Sequence, residues 1–215
     1  MLFRSTALFH DDDRFIAPKP HPVKNRFTLY QSMTTDAGEH WSDPVPITVS
    51  SEVHLCEPGA IFSPDRKQIA VLLRENRRKS NSHVIFSNDE TGSWTAPKPL
   101  PNALTGDRHT GVYLPDGRIF ISFRDVPSQG NTSPTAGSWV GWVGKYEDLV
   151  QGTPGQCRIL LKRNTKGSDC AYPGVELLPD GTIVTTTYGH WTKDEAPYIL
   201  CVRFPISETD KLLTK

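Results

Sequence analysis

Five side chains in this 215-residue chain, Glu57, Arg74, Arg108, Arg124 and Tyr172, are of types and spacing that suit proton transfer and anion binding. Their places are tied to a recurring turn signature. Ser63-Pro64-Asp65, Leu114-Pro115-Asp116 and Leu178-Pro179-Asp180 each lead shortly to an Ile, at positions 69, 119 and 183. Eight residues before each Asp stand Glu57, Arg108 and Tyr172, and five residues after each Ile stand Arg74, Arg124 and Tyr188. A repeat kept for packing alone tends to hold similar residues at equivalent places, whereas one that converges on a ligand has reason to vary its tips. A carboxylate within hydrogen-bond reach of a phenol can take its proton and make the oxygen a nucleophile. A guanidinium at the end of an apolar strand offers a planar fork to a carboxylate.

The elements that must position these residues read as strands. Short runs rich in Val, Ile, Phe, Tyr and Thr are repeatedly cut by Gly, Pro, Asn and Asp, with almost no helical periodicity. A strand enters each Pro-Asp turn (60–62, 112–114, 175–178), a second leaves it (69–73, 119–123, 183–187), and a third follows a polar loop (83–86, 139–146, 198–204). Phe27–Tyr30 reads as the third strand of a unit whose beginning is degraded or absent. Units of about 50 residues with three or four antiparallel strands match the blades of a β-propeller. The expectation is an all-β propeller in a single domain over 1–215, with four blades at about 20–50, 51–103, 104–165 and 166–206 and a polar, fraying tail from Ser207.

A second signature lies in Thr34-Thr35-Asp36-Ala37-Gly38-Glu39-His40-Trp41: a Thr, then Asp two on, Gly four on and an aromatic seven on, the pattern of an Asp box. The Asp serves turn amides, Gly supplies a positive φ, and the Trp is expected to be buried under the hairpin. Ser87–Trp94 is a near match with the Gly displaced by one, and Trp94 is expected to be buried likewise. Such turns stabilise a fold and do not catalyse.

Together with Cys56-Glu57-Pro58, with Arg74 seventeen residues beyond Glu57, and with Cys170-Ala171-Tyr172 before a Pro-Asp-Gly turn, these motifs resemble the C-terminal two-thirds of a sialidase (neuraminidase) six-bladed propeller. The resemblance covers residues 22–206. It implies an exo-sialidase-type glycoside hydrolase in which Tyr172 is the nucleophile and Glu57 takes its proton. Arg74 matches the family's carboxylate-binding arginine that follows the Glu; the family's late arginine has no counterpart in Gly130–Tyr146, so Arg124 or Arg108, chosen by repeat position, must substitute or the triad is incomplete. The carbon attacked in a sialoside bears a carboxylate, so a neutral phenol avoids the repulsion a carboxylate nucleophile would meet. The implied partner is a sialylated glycan or another acidic sugar, with no cofactor and no metal.

Each residue also has a plainer reading: Tyr172 as a half-buried strand aromatic, Glu57 as a solvated loop charge, Arg74 paired with Glu75, and Arg108 paired with Asp107. Asp107, His109, Tyr188, His190 and Trp191 lie near the tips without an assigned role. The opening segment that supplies the family's acid/base Asp and first arginine has no match here. Phe3-Arg4 is a faint echo, and Asp11-Asp12-Asp13 reads as a solvated run. The chain is expected to be a fragment, with a smaller closed ring or dependence on a second chain as alternatives. Little hydrolysis is then expected of it alone. The rival class is a non-catalytic propeller that binds glycan or protein.

Composition narrows the field only broadly. With 24 basic and 24 acidic residues the net charge is zero, which argues against nucleic acid as a partner. No apolar run reaches membrane-spanning length, and the first ten residues do not form a secretory signal. Cys56, Cys157, Cys170 and Cys201 lack the spacing of metal ligands and are expected to be free thiols, which leaves the compartment open.

Overall fold

A computed structural model describes residues 5–12, 27–50, 52–88 and 93–213. Phe3, Arg4, Asp13 and the centre of the second Asp-type turn, residues 89–92, fall outside them. Strand outweighs helix by 46% to 9%, as the Gly/Pro/Asp-punctuated β-branched runs require. The chain divides into two compact units, Met1–Pro99 and Leu100–Lys215.

The first unit holds two antiparallel sheets. One has the order β1 (Ser5–Asp11), β2 (Thr28–Thr34) and β3 (Val45–Thr48). The other runs β4 (Leu55–Phe62), β5 (Ile69–Glu75), β6 (His83–Ser87) and β7 (Lys98–Pro99). Residues 69–73 of β5 are buried on both faces, which is why that strand reads as an unbroken apolar run rather than an alternating one. Val71, Leu73 and Ile85 pack with Leu29 and Leu55 into one core, and each such side chain contributes about 1.5–3 kcal/mol by leaving water. The sheet containing β2 starts before residue 20, because Ser5–Asp11 pairs along its length with Thr28–Thr34. Asp11 is a correction to the solvated-run reading: it ends β1 and is buried.

The second unit opens with a 3-10 turn, Asn102–Leu104. A four-stranded sheet follows, β8 (Gly106–Tyr113), β9 (Ile119–Asp125), β10 (Trp139–Gly144) and β11 (Cys157–Lys162), with the short helix α1 (Tyr146–Gln151) between the last two. Its second sheet is β12 (Gly174–Leu177), β13 (Thr182–Gly189) and β14 (Tyr198–Pro205). Phe120, Val143 and Ile183 join the two sheets through a common core. The tail does not fray: Ile206–Leu213 forms helix α2, fastened by two hydrogen bonds from Arg118 to Asp210 at 2.7 and 2.9 Å.

The Pro-Asp turns are the hairpins β4–β5, β8–β9 and β12–β13. In each, the Asp Oδ1 accepts from the backbone N–H two residues on, at Lys67 (3.1 Å), Arg118 (3.1 Å) and Thr182 (2.9 Å). The Thr34–Trp41 turn is built as its residue types require. Thr34 Oγ1 donates to Asp36 Oδ1 at 2.6 Å, the His40 N–H donates to the same oxygen at 3.0 Å, and Gly38 takes φ +98°. The burial expected beneath the hairpin does not follow: Trp41 is 47% exposed, lying against the turn glycine rather than under the sheet, while Trp94 is partly buried against the first unit's core.

The bond from Thr34, followed by those from His40, holds the Asp36 carboxyl down at about 2, below its usual 3.8. A depressed folded-state value means that this group's stabilisation is present above about pH 4 and fades as pH falls toward 2. Melting curves between pH 2 and 5 should therefore fall less steeply for Asp36→Asn than for the parent. Parallel curves would show that the turn adds nothing to acid stability.

Candidate functional site

In the hairpins β4–β5 and β8–β9 the inner strand carries one residue too many. Cys56 faces Arg74 and Gly59 faces Leu72, so Glu57 and Pro58 share the place opposite Leu73. Likewise Asp107 faces Arg124 and Thr110 faces Ser122, so Arg108 and His109 share the place opposite Phe123. In the third hairpin Cys170 bridges Gly189 and Gly174 faces Thr186, leaving Ala171, Tyr172 and Pro173 opposite Thr187 and Tyr188. Such bulges turn side chains out of the pleat. The backbone at them is in the left-handed region, at Glu57 (φ +55°), Arg108 (φ +61°) and Ala171 (φ +58°), where residues other than Gly are uncommon and strained. The repeat offset seen in the sequence thus corresponds to a shared local device at the start of each inner strand.

In the first unit this device brings Glu57 and Arg74 together. Arg74 Nη1 donates to Glu57 Oε1 at 2.7 Å, and the Glu57 side chain is 7% exposed. Glu57 is therefore not a solvated loop charge. Arg74 pairs with Glu57, and the neighbouring Glu75 instead accepts from the His54 and Lys79 backbone N–H groups. The Glu57 N–H donates to His10 Nδ1 at 3.3 Å. Asp11, next along β1, points to the opposite face of its strand and is not part of this group.

In the second unit Arg108 and Tyr172 meet. Arg108 Nη2 donates to the Tyr172 hydroxyl at 2.8 Å, and the guanidinium carbon lies 4.0 Å from the ring centre. The inner strands β8 and β12 that carry them lie side by side. Tyr172 keeps half of its surface in solvent, at 50%. Its N–H donates to Thr187 Oγ1 at 2.7 Å, and its ring packs against Tyr188 with centres 5.7 Å apart. The Tyr188 hydroxyl donates to Asp169 Oδ1 at 2.8 Å, and His190 Nε2 lies 3.1 Å from Asp169 Oδ2. Burial, then the bond to Asp169, pushes the Tyr188 phenol up to about 12.

Arg124 has a different setting. Nε and Nη2 both donate to Asp107 Oδ2, at 3.0 and 2.7 Å, and Nη1 donates to the carbonyls of Ser168 and Cys170, at 2.9 and 3.2 Å. Its partner Asp107 is fully buried, so Asp107 pairs with Arg124. Gly106 lets the β8 and β9 backbones approach closely here: a Cβ there would sit 2.1 Å from the Arg124 carbonyl oxygen. His109 stacks on Phe123, with its Nε2 at 2.9 Å from the Leu104 carbonyl, and burial lowers it to about 4, so it is a neutral core histidine. Trp191 packs with Trp139, Cys170 and Ala171 in a second apolar cluster. The four cysteines are free, and burial pushes the Cys170 thiol up to about 12.

Asp169 is the residue that sequence reasoning missed. Ser168-Asp169-Cys170 reads as an ordinary polar loop, and only its place beside Tyr188 marks it. The one group of potential metal ligands close together among the described residues, Asp36, Glu39 and His40, is exposed and belongs to the Thr34–Trp41 turn. Among the described residues no helix is long and apolar enough to cross a membrane.

No family model matches the chain, and no curated protein matches it. Solved structures do resemble it. A Dyadobacter fermentans protein of unknown function superposes with a TM-score of 0.72 at 17% identity, over 93% of this chain and 50% of its own. An α-L-arabinofuranosidase from Podospora anserina gives 0.58 at 11%, over 93% and 60%. The NanB sialidase from Streptococcus pneumoniae gives 0.55 at 14%, over 87% and 30%. The fold is that of the glycoside-hydrolase β-propellers, among which sialidase is one of several types. The chain spans at most about three-fifths of the length of these three structures.

Proposed function

We propose that the chain carries the sugar-binding and nucleophile half-sites of a glycoside hydrolase acting on terminal acidic sugars, of exo-sialidase type. The observation that carries this reading is the Arg108–Tyr172 contact: a solvent-exposed phenol whose oxygen accepts from a guanidinium on a strained bulge. A tyrosine so held has its oxygen aimed by the arginine while its own proton is left for another acceptor. In the reaction, Tyr172 Oη attacks the anomeric carbon and forms a covalent glycosyl-tyrosine. The glycosidic C–O bond breaks as the bond to tyrosine forms, and the phenol's proton passes to a carboxylate base, the role the motif resemblance implies for Glu57. The aglycone oxygen takes a proton from solvent, and water then adds at the anomeric carbon and restores the phenol. Arg74 orients Glu57 in the first unit and Arg108 holds Tyr172 in the second, and each guanidinium offers a substrate carboxylate a charge-assisted grip. Arg124 completes the arginine set by fixing the Ser168–Cys170 backbone that leads into Tyr172. The resemblance of the Cys56-Glu57-Pro58, Arg74 and Cys170-Ala171-Tyr172 motifs supports the acidic sugar; the fold neighbours, which include an arabinofuranosidase, a xylosidase and a sialidase, support a glycoside substrate of any of these types.

The second reading is a glycan-binding propeller without turnover. It is favoured by Arg124, four of whose donor contacts go to the protein itself. Calorimetric titration with an unsaturated sialic acid analogue tests the shared part of both. Arg74→Ala is expected to weaken binding roughly ten- to a hundredfold, the loss of about 1.5–3 kcal/mol from a hydrogen bond to a charged group. Equal binding of a neutral hexose, or no binding of the analogue, would overturn the acidic-sugar assignment.

A further inference from the structure

The loop joining β9 to β10, residues 126–138, is tied to one carboxylate. Asp125 Oδ2 accepts from Ser133 Oγ at 2.5 Å and Thr135 Oγ1 at 2.6 Å, and Asp125 Oδ1 lies 2.7 Å from Arg158 Nη2. Arg158 Nη1 reaches Ser133 Oγ at 3.3 Å. Asp125 is fully buried and the Arg158 side chain is 19% exposed. Burying such a pair returns little stability, because the cost of desolvating both ions offsets their attraction. What the arrangement does achieve is a loop anchored at Ser133 and Thr135, and that loop walls a cavity of about 150 Å3. Ala103, Pro127 and Pro134 give it an apolar side, and Asn131, Thr132 and Ser133 a hydroxyl- and amide-bearing one, with the Arg158–Asp125 pair at the base.

We propose that this cavity is a second carbohydrate site that takes a single neutral pyranose ring. A volume of this order admits one six-membered ring. The lining combines an apolar wall for a ring face with donors and acceptors for vicinal hydroxyls, the mixture expected of a small-ligand pocket. The charge of Arg158 is matched by Asp125, so an anion gains no net attraction, which separates this site from the acidic-sugar site at Tyr172. The inference does not depend on the function proposed for Tyr172.

The test is a two-dimensional NMR titration of the intact chain with methyl glucoside, methyl galactoside and methyl xyloside, and separately with acetate and phosphate. At least one pyranoside should saturably shift the amides of 102–105 and 131–135. Ala103→Phe, which fills the apolar wall, should weaken that binding at least tenfold, and Tyr172→Phe should leave it unchanged. Asn131→Ala, on an exposed loop tip, gives a second variant whose folding is not at stake and should weaken binding severalfold. No saturable shift with any pyranoside, shifts lost in Tyr172→Phe but kept in Ala103→Phe, or a response to acetate or phosphate instead would each overturn the proposal.

Discussion

In a longer protein that supplies an acid for the leaving group, replacing Tyr172 by Phe is expected to lower turnover of an aryl sialoside at least about a thousandfold, in the range seen when a covalent nucleophile is removed. Affinity for the unsaturated sialic acid analogue should change by no more than a few-fold. The two readouts separate because of where the hydroxyl sits. The ring keeps its packing against Tyr188 and its place beside the Arg108 guanidinium, since neither contact needs the oxygen. Only the acceptor of the 2.8 Å bond from Arg108 is lost, and half of the side chain's surface is already in solvent, so folding is little affected. Stopped turnover with retained binding assigns Tyr172 the nucleophile's role. Undiminished turnover in the variant would remove Tyr172 from the chemistry and leave it a wall of the pocket. Such a longer protein that binds the analogue and never cleaves the sialoside would favour the binding-module reading.

The sequence made the hairpins legible because their signal is local. A Pro at fixed φ, an Asp that accepts two residues on, and an apolar strand on either side specify the turn within about ten residues. The offsets of Glu57, Arg108 and Tyr172 were legible for the same reason, being counted from that turn. Less local features were not. Ser5–Asp11 pairs with Thr28–Thr34 across a long connection, and its alternation is too short to mark a strand unaided. The tail looked polar because α2 owes its place to Arg118, some ninety residues upstream. Trp41 fitted a motif whose turn formed as its residue types require, yet indole burial depends on what covers the hairpin, which local pattern does not specify. Asp169 gave no signal at all, since a carboxylate in a loop acquires meaning only from Tyr188 and His190 beside it.

Arg124 shows why a residue type at a repeat position underdetermines its role. Arg74 and Arg124 occupy the same place after their hairpins, opposite Cys56 and Asp107 respectively. The residue across the ladder makes the difference: a buried Asp107 beside Arg124 captures the guanidinium through two nitrogens, and the third nitrogen turns to the Ser168 and Cys170 carbonyls. Arg124→Ala is therefore expected to cost about 3–5 kcal/mol of stability, the usual penalty for removing one member of a buried ion pair. For a chain of this size that corresponds to a fall in melting temperature of roughly 6–20 °C. Two carbonyls lose a donor as well, so the Ser168–Cys170 segment should loosen, and amide exchange at Cys170, Ala171 and Tyr172 should accelerate more than exchange in β5 of the other unit. Arg124→Lys should recover only part of the loss, because an ammonium cannot reproduce the planar fork that serves Asp107 and both carbonyls together. A substrate ligand would behave differently: its removal would leave the melting temperature within a degree or two and weaken the sialic acid analogue by tenfold or more. That second pattern would mean that Arg124 leaves Asp107 when substrate arrives, and it would return Arg124 to the residues proposed to bind the carboxylate directly.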